Sequence, residues 1–327
     1  MSALGASGRT DPAACRSAAG LGAGPERSRQ RPSEGCDYHR LLRRNFNLAA
    51  SLLTFPARAL AGLVVLAGAA CPGWASAEGA LLTRLDGAAI VVDGARTLAA
   101  ATGLAVGAGS LVDTGEHTAL LRLEWPDQRV IDLGPATRVM IEPPGLPAVG
   151  GQPPLLYLLQ GWAKVSVAGP RPAAAVVMPA LQALPFSGAA VFSIEGRRRS
   201  VFAESTALDL AERGAPARLL HLGRGAFYDG SAVRPRPSAE WLPRVPSPFR
   251  DSIPLRGANG VGQGRPARTL PPPAYAELAP WLDAEPLLRQ EFPRRFAAFA
   301  QDPAFRRALK QNLSAHPEWA RRLESAH

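Results

Sequence analysis

The sequence predicts an all-β domain followed by a Pro-rich linker and a small α-helical unit. Three observations lead there. Between Gly79 and residue 233, short β-branched and aliphatic runs recur at the spacing, about 8–12 residues, of a sandwich, barrel or solenoid rather than of βαβ units. Residues 234–280 hold eleven prolines, among them Pro271-Pro272-Pro273. Beyond residue 281 the apolar spacing becomes helical.

The chain before the domain reads as an address. Residues 1–58 are rich in Gly, Ala, Ser, Pro and Arg, and at least to residue 39 they lack the large apolar side chains needed to offset the entropy of ordering. Arg40, Arg43, Arg44 and Arg58 form a positive region, and Ala59–Ala70 is a short apolar one. Pro72-Gly73 and the triplet Ala75-Ser76-Ala77 follow, so residues 59–77 complete a secretory signal peptide with the cut between Ala77 and Glu78. Two other readings exist: an uncut inner-membrane anchor, and lipidation at Cys71, where Gly68 stands in place of the preferred Leu. Each of them places residues 78–327 in the periplasm. The chain of 327 residues has a net charge of +10, and nine arginines against four acidic residues leave with the presequence. Cys15, Cys36 and Cys71 leave with it too, so the mature chain has neither thiolate nor disulfide. The remaining charge shows no interleaving of basic and aromatic residues, which argues against a nucleic-acid partner.

The strands of 78–233 follow in order. Ala89–Val92 ends at Asp93-Gly94, a hairpin signal. Ala119, Leu121, Leu123 and Trp125 alternate with Thr118, Leu120, Arg122 and Glu124, as in a strand with one buried face. Pro126-Asp127-Gln128 turns the chain into Val130–Leu133. Val139–Ile141, Leu155–Leu159 and Ala163–Val167 continue the series, with Gly161 as a turn before the last. Val191–Ile194, Ser200–Ala203 and Leu219–Leu222 complete it.

Four pieces of this region, in order and spacing, resemble a FecR-type domain. They are Gly87–Val92 with Gly107-Ala108-Gly109-Ser110-Leu111-Val112-Asp113-Thr114-Gly115; then Ala119–Leu123; then Val130-Ile131-Asp132-Leu133-Gly134-Pro135; then Leu158–Gly161 with Trp162-Ala163-Lys164-Val165. The match is clear over residues 79–170 and weaker over 171–233. The resemblance implies a solenoid-like or rolled β domain outside the cytoplasm that binds envelope proteins or cell-wall glycans, without cofactor or catalysis. Named regulators of the family take a signal from an outer-membrane receptor and pass it through one membrane helix to a sigma-factor-binding segment. Residues 1–58 do not resemble that segment.

Asp113-Thr114-Gly115 after Leu111-Val112 also matches the tight turn by which an aspartic protease presents its carboxylate to a twin across a dimer. Glu116, where Ser or Ala is usual, weighs against it. In the structural reading, Gly115 supplies a positive φ while Asp113 and Thr114 bond the turn. Four histidines remain after export, His117, His221, His316 and His327, too scattered for a metal site. The Gly260-Val261-Gly262-Gln263-Gly264 run lacks the flanking strand and helix of a dinucleotide cradle. Trp125 and Trp162 are candidates for gripping a sugar or peptide, against a commoner packing role.

The linker 234–280 reads as an extended spacer, with Trp241 and Phe249 able to dock on the β domain. In 281–327, Leu287, Leu288, Phe292, Phe296 and Phe299 share a face, interrupted by Pro293. Asp302-Pro303 and His316-Pro317 start two further helices, carrying Phe305, Leu309 and Leu313, then Trp319 and Leu323. The sequence thus predicts a noncatalytic exported envelope module. Two alternatives stand beside it: a membrane-anchored sigma-factor regulator, and a dimeric aspartic protease.

Overall fold

In the computed structural model, which describes residues 79–169, 173–213, 218–257 and 266–324, each run expected as a strand from Ala89 to Leu222 is extended. The export segment with Ala75, Ala77 and Glu78, the three cysteines and the 260–264 run lie outside the described residues. The first strands are β1 (Ala80–Asp86), β2 (Ala89–Asp93), β3 (Arg96–Ala99), β4 (Ala105–Val106), β5 (Leu111–Thr114) and β6 (Leu120–Glu124). Next come β7 (Arg129–Leu133), β8 (Arg138–Ile141), β9 (Leu156–Val167), β10 (Ala174–Met178), β11 (Leu181–Phe186) and β12 (Gly188–Glu195). The last are β13 (Arg198–Phe202), β14 (Leu208–Glu212), β15 (Arg218–Leu222), β16 (Phe227–Tyr228), β17 (Val233–Arg234) and β18 (Thr269–Leu270).

These strands join in one network that curls over itself as two leaves. The first leaf runs β4-β1-β6-β7-β9-β12-β13-β16-β17. The second runs β18-β3-β2-β5-β8-β9-β10-β11-β14-β15. Among the described residues only β9 with β10 pairs in parallel. Between the leaves lies the main core, with Leu82, Val91, Val112, Leu121, Leu123, Ile131, Leu133, Val139, Val165, Phe192 and Val201. A solenoid would stack parallel rungs along one axis. Here hairpins alternate between facing leaves, so the rolled form holds and the solenoid-like one does not.

Gly161 carries the largest local correction. Rather than separating two strands, it bends one strand of 12 residues with a φ of 88°. Leu156–Gln160 pairs in the second leaf and Gly161–Val167 in the first. A Cβ here would sit 2.5 Å from Thr137 Cα and 2.7 Å from the Ala136 carbonyl oxygen. Gly161→Ala is therefore expected to cost about 2–4 kcal/mol, strain plus overlap, read as a lowered urea midpoint.

The C-terminal third covers both outer faces. Trp241 packs at a tilt against Trp162 and Phe227 at centroid distances of 5.5 and 4.8 Å, and Phe249 is buried beside them on the first leaf. The following strap crosses a row of charged side chains. Arg122 donates to Asp132 through Nε (2.6 Å) and Nη2 (2.7 Å), and through Nη1 to the Ile253 carbonyl (2.8 Å). Lys164 Nζ donates to the Phe249 carbonyl at 2.6 Å, and Glu124 accepts from the Arg256 and Gly257 amides. Trp241 and Phe249 dock as the sequence allowed, but the segment is not simply extended: Leu242–Arg244 and Ser247–Arg250 form 3-10 turns around Pro243 and Pro248, and the backbone groups beyond them tie it to the first leaf.

On the second leaf lie α1 (Tyr275–Leu282), α2 (Pro286–Arg289), α3 (Phe292–Arg295), α4 (Pro303–Gln311) and α5 (Ala320–Glu324). The helices therefore begin inside the Pro-rich segment, before residue 281. Asp302 caps α4 by accepting from the Phe305 amide at 2.8 Å, as its Asp-Pro signature predicts. Trp281, Leu282, Leu288, Phe292, Phe296, Phe299, Phe305, Leu309, Trp319 and Leu323 form a second core over Val92, Leu111, Met140, Tyr157 and Val177. The sheet supplies about a third of the buried residues of this core, and the helical unit closes the rest around its own phenylalanines.

Candidate functional site

The motif residues meet at one end of the leaves. Thr114 Oγ1 donates to the Gly134 carbonyl (2.7 Å) and accepts from the Thr137 amide (2.8 Å). The Gly115 carbonyl accepts from the Ala136 amide, and the Trp162 carbonyl from the Gly134 amide. Thr137 Oγ1 donates to the Pro135 carbonyl (3.0 Å) and accepts from the Trp162 amide (2.9 Å). So Thr114, Gly115, Gly134, Pro135 and Gly161 form one knot, separated in sequence but joined by backbone pairing. Leu133 and Val165 point into the main core, and the Gly107 carbonyl closes the turn before β5 by accepting from Ser110. The expected positive φ at Gly115 is absent. A Cβ there would meet the Ala88 carbonyl at 3.4 Å, an ordinary van der Waals contact, so neither conformation nor space demands glycine at this position. Asp113 does not bond the turn either.

Asp113 belongs to strand β5 and faces outward. Its Oδ2 lies 3.4 Å from Arg138 Nε, and its Oδ1 accepts from Trp281 Nε1 at 3.3 Å. Burial under α1 pushes the carboxyl up to about 6, while Arg138 and the Trp281 hydrogen bond pull it down only in part. A carboxyl raised in the folded state contributes stability below its unfolded value near 3.8 and loses it as pH rises through about 6. Asp113→Asn is therefore expected to leave stability unchanged near pH 4 and to raise it by about 1–2 kcal/mol above pH 7. The gain falls short of the full shift because the side chain is 31 % exposed. Thermal melts across that range check it, and a variant less stable at pH 7.5 would contradict the sign.

Around Asp113 the second leaf presents two neighbouring rows across its strands. The row Thr97–Val92–Leu111–Met140–Tyr157–Val177 runs beneath the helical unit. The adjacent row, Ala99–Ile90–Asp113–Arg138–Gln160, lies along the open side of that unit. A groove of about 600 Å³ follows it, with Ile90 on the floor and Pro271-Pro272-Pro273, Glu277 and Leu278 as one wall. Arg268 stands at its rim. Ile90 is 41 % exposed although it sits mid-strand, and Thr97 Oγ1, buried at the groove, has no hydrogen-bond partner among the described residues.

The other candidates find ordinary places. Trp125 is buried, donates to Glu142 at 3.1 Å and has Arg129 over its ring; Trp162 is buried under Trp241. Neither offers an open face to a sugar. His117 is exposed, His221 pairs with Asp209 at 2.7 Å, and buried His316 meets the Tyr275 hydroxyl at 2.8 Å. His327 lies outside the described residues. Among the described residues no group of three His, Cys, Asp or Glu side chains gathers for a metal, and no helix is long and apolar enough to cross a membrane.

No protein-family model and no curated protein matches the chain. One solved structure, described as a "putative anti-sigma factor" from Parabacteroides distasonis, is similar at 9% identity and a TM-score of 0.30. The match covers 38% of this chain and 57% of that one. This chain thus spans little more than half the length of that structure, and a likeness so slight carries no argument about function.

Sequence reasoning missed Ile90, Thr97, Arg138, Arg268, Glu277 and Trp281. The strand alternation carried a weak signal for Ile90, which falls on the face opposite Val91. For the rest, adjacency depends on strand register and on the path of the Pro-rich segment.

Proposed function

We propose that this chain is a noncatalytic, exported envelope protein, a binding module on a FecR-type β domain. The observation that carries the reading is the open row Ala99–Ile90–Asp113–Arg138, an apolar and charged groove with a preformed wall beside the motif knot. The state of Asp113 supports a binding rather than a catalytic role. A protease aspartate must share its proton with a facing carboxylate, whereas this one lies between an arginine and a tryptophan N–H. The apolar stretch and Ala75-Ser76-Ala77 support export.

The test is fractionation of cells making the full chain, with N-terminal sequencing and a photo-crosslinking residue at position 90. The expected result is a periplasmic protein starting at Glu78 and crosslinked to an envelope component. A protein retained in the membrane with its N-terminus intact would favour the anchored sigma-factor regulator. A cytosolic protein starting at Met1 would overturn the export reading.

A further inference from the structure

We propose that the groove beside Asp113 takes an extended peptide segment, setting an aliphatic side chain on Ile90 and a lysine or arginine side chain against the Asp113 carboxylate. The inference rests on the binding reading above and names its partner class.

Four observations converge on it. The apolar end of the groove is built for a side chain: Ile90 and Ala99 form the floor, while Leu270, the three prolines and Leu278 wall it. Prolines lose little freedom on binding, so this wall is ready before a ligand arrives. At the polar end, both contacts of Asp113 are long, 3.4 Å to Arg138 and 3.3 Å to Trp281, which leaves acceptor capacity on each oxygen. Its carboxyl, pushed up to about 6 by burial, is under-compensated as an anion at neutral pH, and an arriving cation would supply the missing charge. Glu277 in the wall adds a second carboxylate of the same sign. At the apolar end, on β3 with Ala99, Thr97 Oγ1 is buried without a partner among the described residues, an unsatisfied hydroxyl in the groove lining.

The opposing charges are Arg138 and Arg268. They make an acidic peptide the main competitor, and the experiment separates the two. The purified full chain is titrated into a fluorescein-labelled octapeptide of alternating leucine and lysine, capped at both ends. Two matched probes replace lysine by glutamate or leucine by serine. Fluorescence anisotropy is expected to show saturable binding of the first probe, with both matched probes at least about tenfold weaker. Asp113→Asn and Ile90→Ser are each expected to weaken the leucine–lysine probe about fivefold or more, with melts confirming that both variants fold. Leu219→Ser, at the exposed edge strand β15, should leave binding unchanged.

Three outcomes would overturn the proposal: no binding by any probe, tighter binding of the glutamate probe, or loss of binding in Leu219→Ser but not in the groove variants. Because this assay uses the purified chain, its failure is distinct from a failure of export. A protein that binds the probe yet keeps Met1 retains the groove and loses the envelope.

Discussion

Arg122→Ala is expected to cost about 3–5 kcal/mol of folding stability, among the largest effects of any single substitution in the described residues. Arg122 and Asp132 are 6 % and 3 % exposed at their side chains, with two parallel hydrogen bonds between them and a third from the guanidinium to the strap. Removing the cation leaves a carboxylate stripped of water beneath that strap. Lys164, directly across from Asp132 in β9, can turn toward it only by leaving Glu204 and the Phe249 carbonyl. The same substitution should therefore loosen residues 247–257, visible as new limited-proteolysis cuts there. Urea unfolding measures the loss. The paired variant Arg122→Met with Asp132→Leu is expected to recover most of it, because two apolar residues leave no orphaned charge. A single-variant loss below about 1 kcal/mol would mean that water reaches the pair.

The second large effect is expected at Trp281. It is fully buried in α1, in the core that joins the second-leaf row to Phe292, Phe296 and Phe299, and its N–H is one of two partners of Asp113. Trp281→Ala should cost about 3–5 kcal/mol through the cavity it opens. Trp281→Phe keeps most of the packing and loses the hydrogen bond, so about 1–2 kcal/mol is expected. Hydrogen exchange should locate the damage. Amides of α1 and α4 would lose protection in the alanine variant while those of β6, β7 and β9 keep theirs, since the inter-leaf core does not include Trp281. Equal loss in both regions would mean that helices and sheet unfold as one unit.

Much of this fold was legible in the chain, and the reasons are local. Asp93-Gly94 fixes a hairpin because Gly94 reaches a φ of 57° without strain. Asp302-Pro303 fixes a helix start because an acceptor precedes a residue with no N–H to satisfy. What stayed hidden is non-local. Arg122 and Glu124 read as the mixed face of a half-buried strand, and nothing nearby announces that Asp132 will pair with Arg122 or that residues 249–257 will lie over them. Gly161 read as a turn because φ above zero usually means one. Only the pairing on both sides of it shows a strand passing between two leaves. The groove was harder still. Ile90, Asp113 and Arg138 lie on three strands, and Trp281 comes from a helix far along the chain, so their meeting depends on register.

The strap and the helices also set how short a piece of this chain can be and still keep its sheet covered. A chain ended after Tyr228 would keep nearly all of the inter-leaf core, yet bare the Val92–Leu111–Met140–Tyr157 row on one side and the Arg122–Asp132–Lys164 ladder on the other. Apolar surface of that breadth promotes self-association. The minimal piece that can be expressed, crystallised or grafted is thus set by its coverings rather than by its sheet. For the same reason the broad faces are already taken, and a partner that does not displace them meets this protein along a rim.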